Sequence, residues 1–202
     1  MCARYEISGD LDDAVIAEMI RALQRSAPPQ MKIKGEAFPG DMVPVVARNT
    51  ARRLRAFPMS WGYQLNAGRL VINARSESAE SKPLFREGFA SHRCMIPGCW
   101  YFEWDHQGNS GVKYAIHPSG RSVYMAGIYR LEAGQPHFSI LTRAPGPEVA
   151  RIHDRMPVLL PASAVEAWLN PEHSPQELLR QAVTEVTLKP VRGEVQQLRL
   201  EL

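Results

Sequence analysis

The sequence predicts an α+β fold: a mainly antiparallel, curved and barrel-like sheet flanked by helices, in a single domain that spans residues 1–202. Short runs of strand-forming residues occupy the middle of the chain, and helical patterns lie near both ends. The length of 202 residues and the hydrophobic content of 45% are sufficient for one real hydrophobic core.

The first predicted element is a helix after Gly9-Asp10, with Asp10 as its N-cap. Apolar residues recur at helical spacing from Leu11 to Leu23. The sequence Ala27-Pro28-Pro29 follows and should end the helix, because proline cannot continue one.

The middle of the chain predicts strands, and the last third predicts two more helices. Five short runs with strand composition are bounded by Gly, Pro or Asn, at residues 43–47, 70–72, 112–116, 122–129 and 137–141. Gly127 lies inside the fourth run and predicts a bend or a bulge. The late helices are expected at 162–169 and at 175–183, the second with Pro175 in its first turn.

The charge of the chain is mildly basic, with a formal net charge of +3. Arg48, Arg52, Arg53 and Arg55 lie close together, which suits a polyanion such as nucleic acid and equally suits a solvated face. Three cysteines without paired spacing do not make a disulfide framework, and no apolar run approaches the ~20 residues of a membrane-spanning helix. We therefore expect a cytoplasmic protein with no membrane partner.

The cysteine directly behind the initiator methionine has unusual chemistry. Removal of Met1 would leave Cys2 as the N-terminus, with an α-amine and a thiol on neighbouring carbons. The α-amine has a pKa of ~7.7–8.0, and the adjacent ammonium is expected to favour the reactive thiolate. Such an aminothiol condenses with an aldehyde, first to an imine and then to a five-membered thiazolidine ring.

Three other segments carry candidate catalytic side chains. Asn73 follows a strand pattern, where it either caps the strand end or holds a substrate by directed hydrogen bonds. Glu103 lies among aromatic residues; burial would raise its pKa and suit it to proton transfer, whereas a solvated strand-end carboxylate would be ordinary. His153 is the usual type of proton donor or acceptor near neutral pH, and Arg155 can pair with Asp154 or contact a phosphate.

These segments belong to a longer series of motifs that resembles the SOS-response-associated peptidase (SRAP) family. The series extends from residue 1 to about 160, in the order Met1-Cys2-x-Arg4-Tyr5, Trp61-Gly62, Ile72-Asn73-Ala74-Arg75-Ser76-Glu77, Lys82-Pro83-x-Phe85-Arg86, Arg93-Cys94-x-Ile96-Pro97, Glu103-Trp104, Leu141-Thr142 and His153-Asp154-Arg155-Met156-Pro157. The family role that the resemblance implies is covalent capture of abasic sites in single-stranded DNA. The chain departs from the family at Ala3 and Trp100, where glycine is usual.

The resemblance also implies a role for each site residue. Cys2 would form the thiazolidine with the ring-opened abasic sugar, Asn73 would position the amine and the sugar, Glu103 would shuttle protons, and His153 would act on the sugar oxygen. The DNA-binding residues that it implies are phosphate contacts, a base-stacking platform at Trp61 and residues that shape the groove: Arg4, Pro39, Trp61, Arg75, Arg86, Thr142 and Arg155. No cofactor or metal is implied, and we expect a monomer that associates with the nucleoid when it is bound to DNA.

Three other functions stay open at this level. Cys2 and His153 could form the nucleophile and base of a cysteine peptidase or autoprotease. His92, Cys94, Cys99 and His106 could hold a structural zinc ion, although zinc usually needs clearer paired ligands. Non-covalent single-strand binding through Trp61 and the arginines would leave Cys2, Glu103 and His153 without a purpose.

Overall fold

The computed structural model describes residues 2–7, 11–65, 68–105, 111–120 and 122–195. The strands of this part of the chain are β1 (Tyr5–Ile7), β2 (Gly35–Ala37), β3 (Met42–Arg48), β4 (Leu54–Trp61), β5 (Tyr63–Gln64), β6 (Leu70–Val71), β7 (Asn73–Arg75), β8 (Arg93–Gly98), β9 (Tyr101–Trp104), β10 (Val112–His117), β11 (Val123–Glu132), β12 (Gln135–Arg143), β13 (Met156–Pro157) and β14 (Thr187–Val195). The helices are α1 (Ala14–Gln24), α2 (Arg86–Ser91), α3 (Pro147–Ala150), α4 (Ala162–Trp168) and α5 (Pro175–Leu179).

The centre of the molecule is a closed five-stranded barrel in the order β11-β8-β3-β4-β12, which the β11–β12 pairing closes. Every pair in the ring is antiparallel except β4 with β12, which run parallel. The barrel with its flanking helices confirms the predicted α+β class and the mainly antiparallel, barrel-like sheet.

A second sheet and one added strand bring the N-terminus beside the barrel. The second sheet has the order β14-β10-β9-β1-β2, and Tyr5 of β1 lies opposite Tyr101 of β9. Strand β7 adds to the barrel strand β12 in parallel, with Asn73 opposite Ile140. Because β1, β7 and β9 meet here, residues distant in sequence become neighbours at one end of the barrel.

Two hydrophobic clusters stabilise this arrangement. The inner cluster fills the barrel and continues into the second sheet through Tyr5 and Tyr101. The outer cluster packs helices such as α1 and α4 against the outside of the barrel. Gly127 does not form a bulge, because β11 pairs in continuous register there. A Cβ at Gly127 would instead lie 2.5 Å from Ile96 Cδ1, so glycine is needed for close packing.

The structure contains the predicted helices, but some of them begin or end at other residues than predicted. The N-cap of α1 is Asp13, whose Oδ1 accepts hydrogen bonds from the backbone N–H groups of Val15 and Ile16. The predicted cap, Asp10, lies outside the described residues. Helix α5 ends at Leu179, four residues before the predicted end. No helix in the described ranges is long and apolar enough to cross a membrane.

Candidate active site

Cys2 lies three residues before β1 and is fully buried. Its Sγ is 3.8 Å from the Arg4 carbonyl oxygen. Asn73, the first residue of β7, donates a hydrogen bond from Nδ2 to the Cys2 carbonyl oxygen at 2.9 Å. The Asn73 Oδ1 has no hydrogen-bond partner among the described residues, which leaves one acceptor open beside Cys2.

Glu103 lies in β9 and is only 3% exposed. Burial raises the pKa of its carboxyl group from 4.5 to about 7. The expected buried carboxylate among aromatic residues is therefore confirmed, and the solvated strand-end alternative is wrong. A group with this pKa can both give and take a proton near neutral pH.

His153 lies in the loop between α3 and β13, with its Nε2 3.9 Å from Glu103 Oε2. The backbone N–H of Arg155 donates a hydrogen bond to His153 Nδ1 at 2.9 Å. A ring that accepts this hydrogen bond on Nδ1 carries its proton on Nε2, toward Glu103. Asp154 Oδ1 is 2.9 Å from the same Nδ1, and it is placed to stabilise the ring once both nitrogens are protonated.

The Cys2 thiol is held in its protonated form. Burial, and then the nearby Glu103 carboxylate, raise the pKa of the Cys2 thiol well above its ordinary value. The N-terminal ammonium lowers the pKa of the thiol, which is the expected direction, but burial is the larger effect. The expectation for Cys2 freed of Met1 stays a prediction. Attack by the sulfur requires a base, and Glu103 is the neighbouring carboxylate.

Two arginines lie beside this cluster, which we name the Cys2 site and define as Cys2, Asn73, Glu103 and His153. The Arg4 guanidinium carbon lies 4.6 Å from the Phe38 ring centroid and 4.9 Å from that of Trp104, and Nη1 is 3.4 Å from Glu36 Oε2. Arg75 ends β7, two residues after Asn73, and is exposed. Phe38 was not predicted as part of the site. Its signal in the sequence is an aromatic residue directly before Pro39-Gly40.

Arg155 and Thr142 form a separate structural pair next to the site. The Arg155 guanidinium makes a bidentate ion pair with Glu77, with both distances 2.8 Å, and Nη2 donates to the Thr142 carbonyl oxygen at 2.8 Å. The structural pairing of Arg155 with Asp154 that was considered is therefore not the one formed. Thr142 is fully buried, so its hydroxyl can reach DNA only if the residues that cover it move.

Trp61 is not a stacking platform, which corrects the sequence prediction. Its ring is fully buried, lies parallel to the Phe138 ring at a centroid distance of 6.1 Å, and donates from Nε1 to the Ile72 carbonyl oxygen. A platform for a DNA base needs an exposed face. Trp61 therefore belongs to the core of the barrel.

Pro39 and Arg86 lie in different places relative to the Cys2 site. Pro39 occupies a tight turn in which the Phe38 carbonyl oxygen accepts from the Asp41 N–H, and Gly40 has φ +92° as such a turn requires. Because Phe38 contacts Arg4, this turn lies beside the site. Arg86 is exposed on α2, and its side chain has no contact with the Cys2 site in the described part of the chain.

The zinc alternative receives no geometric support from its described ligands. Cys94 is fully buried in the inner cluster, and the His92 ring packs against Tyr129 at a centroid distance of 5.2 Å. His106 lies outside the described residues. Within the described ranges, no three His, Cys, Asp or Glu side chains form a group that could hold a metal ion.

A sequence model of a protein family described as SOS response associated peptidase (SRAP) matches residues 1–198. The chain belongs to the SRAP family. It is 32% identical over 128 residues to the abasic site processing protein YoqW of Bacillus subtilis, an alignment that covers 59% of this chain and 57% of the relative. It is 27% identical over 186 residues to the abasic site processing protein YedK of Escherichia coli, covering 88% of this chain and 83% of the relative.

Solved structures share the fold of this SRAP chain. A protein from Bacteroides thetaiotaomicron has a TM-score of 0.73 at 22% identity and covers 95% of this chain and 93% of its own. A phage-related protein from Bordetella bronchiseptica has a TM-score of 0.74 at 22% identity, and the match covers 96% of this chain and 95% of that protein. At these identities the likeness concerns the fold.

Proposed function

We propose that this SRAP protein processes abasic sites in single-stranded DNA by forming a covalent thiazolidine crosslink through Cys2 after removal of Met1. The observation that best supports this proposal is that four groups lie together. Asn73 donates a hydrogen bond to the Cys2 carbonyl, the Glu103 carboxylate raises the pKa of the Cys2 thiol, and His153 Nε2 lies 3.9 Å from Glu103 Oε2. The names of the relatives, abasic site processing proteins, support the same substrate.

The first step joins the terminal amine of Cys2 to the aldehyde of the ring-opened abasic sugar. The amine nitrogen attacks the carbonyl carbon to give a carbinolamine, whose hydroxyl leaves as water when it receives a proton. Glu103 in its protonated form is the donor, because a pKa of about 7 leaves it about half protonated at neutral pH. The product is an imine.

The second step closes the ring. The Cys2 sulfur attacks the imine carbon, the thiol proton passes to the Glu103 carboxylate, and the imine nitrogen becomes a ring amine when it takes up a proton. The overall reaction joins protein and aldehyde with the loss of one water molecule. Because burial raises the pKa of the thiol, a neighbouring carboxylate that takes up the thiol proton would assist this attack.

His153 and Asn73 have supporting roles in this proposal. His153 presents Nε2–H on the side of Glu103, where it can donate to the sugar oxygen during ring opening and serve the reverse reaction. Asn73 fixes the N-terminal residue through its carbonyl, and its open Oδ1 can accept a hydrogen bond from the terminal amine. Arg4 and Arg75 are the phosphate contacts that we favour, because both lie beside the site and Arg75 is exposed.

The test is incubation with a single-stranded oligonucleotide that contains one abasic site, followed by a denaturing gel. We expect an adduct with the wild-type protein and none with Cys2→Ala. Cys2→Ser separates the proposal from peptide hydrolysis, since it cannot form a thiazolidine while a serine nucleophile could retain weak peptidase activity. An equal amount of adduct from Cys2→Ala would refute the assignment of Cys2.

A further inference from the structure

A cavity of about 860 Å³ lies at the end of the barrel opposite the Cys2 site. Strand β12 runs from this end, where Pro136 lines the cavity, toward the Cys2 site, where it pairs with β7 at Ile140 to Thr142. The cavity is also lined by the turn between β3 and β4, by α2 and by the β11–β12 hairpin. Its volume is within the range of sites that bind small molecules.

The lining combines arginines with aromatic rings. The residues that matter here are Arg48, Arg52, Arg93, Arg130, Tyr63 and Tyr129. Arg48 and Arg52 belong to the arginine cluster noted in the sequence, and neither is part of the Cys2 site. Guanidinium groups bind phosphates, and aromatic rings stack with bases.

Arg93 is the unusual member of this set. It is 3% exposed, and its Nε and Nη1 have no hydrogen-bond partner among the described residues. Its Nη2 donates to two backbone carbonyl oxygens, of Asn170 and His173, and the described part of the chain gives it no carboxylate partner. Burial lowers the pKa of Arg93 to about 10. The guanidinium carbon lies 5.2 Å from the Trp168 ring centroid, and both unpartnered nitrogens are covered by neighbouring groups. A buried cation without a carboxylate partner is costly, so an anion bound in the adjoining cavity would offset part of that cost through its charge.

Tyr63 is a second buried residue of the cavity lining that carries a polar atom without a partner in the described part of the chain. Tyr63 is 1% exposed, and its Oη has no hydrogen-bond partner in the described ranges. The Arg130 guanidinium carbon lies 4.6 Å from the Tyr63 ring centroid, so cationic and aromatic groups are already stacked here. At the rim, Arg52 pairs with Glu172, but both side chains are more than half exposed. Such pairs exchange partners at little cost, so Arg52 is available to a phosphate.

We propose that this cavity binds a nucleotide, with its base against the aromatic rings and its phosphate against the guanidinium groups. The nucleotide is either free or the end of a DNA strand, since both present the same phosphate and base. This second site is distinct from the Cys2 site, and its occupation does not require the crosslinking reaction.

The test uses Cys2→Ala protein, in which no thiazolidine can form, and titrates it with thymidine 5′-monophosphate by calorimetry. We expect saturable binding that Arg52→Gln weakens by about fivefold and Tyr129→Ala by about tenfold or more. Arg52 is an exposed side chain, so this variant tests the site even if Tyr129→Ala fails to fold. Arg25→Gln, which removes one exposed positive charge from beyond the end of α1, is the matched control and should bind as Cys2→Ala does.

A 5′-phosphorylated hexathymidylate distinguishes the two sources. If the hexamer displaces the monophosphate and Arg52→Gln weakens this displacement, the cavity accepts the end of a strand; if the hexamer does not displace the monophosphate, the ligand is a free nucleotide. The proposal is overturned if the monophosphate shows no saturable binding, or if Arg25→Gln weakens it as much as Arg52→Gln does. Because binding is measured without Cys2, failure of the crosslinking proposal would leave this result unaffected.

Discussion

Replacement of Glu103 by glutamine should change both reactivity and the pH dependence of stability. Glu103 is 3% exposed, and its pKa in the folded protein is about 7 rather than 4.5. Below pH 4.5 the carboxyl is protonated in both the folded and the unfolded chain, so it contributes no pH dependence. Between pH 4.5 and 7 the unfolded chain is ionised while the folded chain stays protonated, so the free energy of unfolding falls as pH rises.

The size of this effect follows from the pKa values. One pKa unit corresponds to about 1.4 kcal/mol, so ionisation of folded Glu103 costs about 3 kcal/mol once the pH is above 7. Glutamine has nearly the same shape and no charge, and it avoids this cost. The stability of Glu103→Gln relative to wild type should therefore rise by about 3 kcal/mol between pH 4 and pH 8.5.

Urea unfolding of both proteins at several pH values measures this difference, and any pH-independent effect of the substitution cancels. Glu166→Gln makes the same change at a side chain that is 79% exposed, and its difference from wild type should stay flat. The crosslinking rate of wild type should titrate with a midpoint near pH 7, and Glu103→Gln should be slower by about 10²- to 10⁴-fold. A flat stability difference for Glu103→Gln would refute the burial of an ionisable group on which the mechanism depends.

Three further outcomes are expected. The ion pair with Arg155 lowers the pKa of Glu77 to about 2, so the stabilisation by this pair should be complete above pH 4.5 and lost as the pH falls through 2. The pKa shift corresponds to about 3 kcal/mol, which solvent screening reduces to about 1 to 2 kcal/mol. Acid unfolding of wild type and Glu77→Gln measures this contribution. Trp61→Ala should cost about 3–5 kcal/mol of unfolding free energy, whereas folded Trp61→Phe should bind single-stranded DNA as wild type does; weaker binding by that variant would restore a DNA contact for Trp61. Arg75→Gln should reduce the slope of log affinity against log salt by about 0.7 in single-strand binding assays, and an unchanged slope would exclude a phosphate contact at Arg75.

The local patterns of the sequence predicted three of the five barrel strands, β3, β11 and β12, and missed β4 and β8. Strand β4 contains Pro58 and no β-branched residue, and β8 ends in Pro97-Gly98, so neither shows a clear local strand pattern. The prediction failed where long-range packing decides the outcome. Gly127 gives room to the side chain of Ile96 from the neighbouring strand, which no local pattern shows. The cap of α1 moved from Asp10 to Asp13 because the helix begins where Asp13 can accept two backbone N–H groups.

The sequence grouped the four residues of the Cys2 site and predicted the raised pKa of Glu103, but it did not predict the raised pKa of the Cys2 thiol. The motif order identified Cys2, Asn73, Glu103 and His153, and the structure brings all four together at one end of the barrel. The protonated state of the thiol depends on complete burial, which a residue at position two gives no reason to expect. The prediction that Trp61 stacks on a DNA base was wrong, because a sequence does not show whether a tryptophan is exposed or buried.

The most direct test of the central claim is the intact mass of the adduct with an abasic oligonucleotide, followed by mapping of the modified peptide. We expect the mass of the Met1-free protein plus the DNA minus one water, with the modification on the peptide that begins at Cys2. Protein that retains Met1 should give no such adduct, because its terminal amine is not on the carbon next to the thiol-bearing one. A stable adduct on Met1-retaining protein, or one attached at another residue, would refute thiazolidine formation at Cys2.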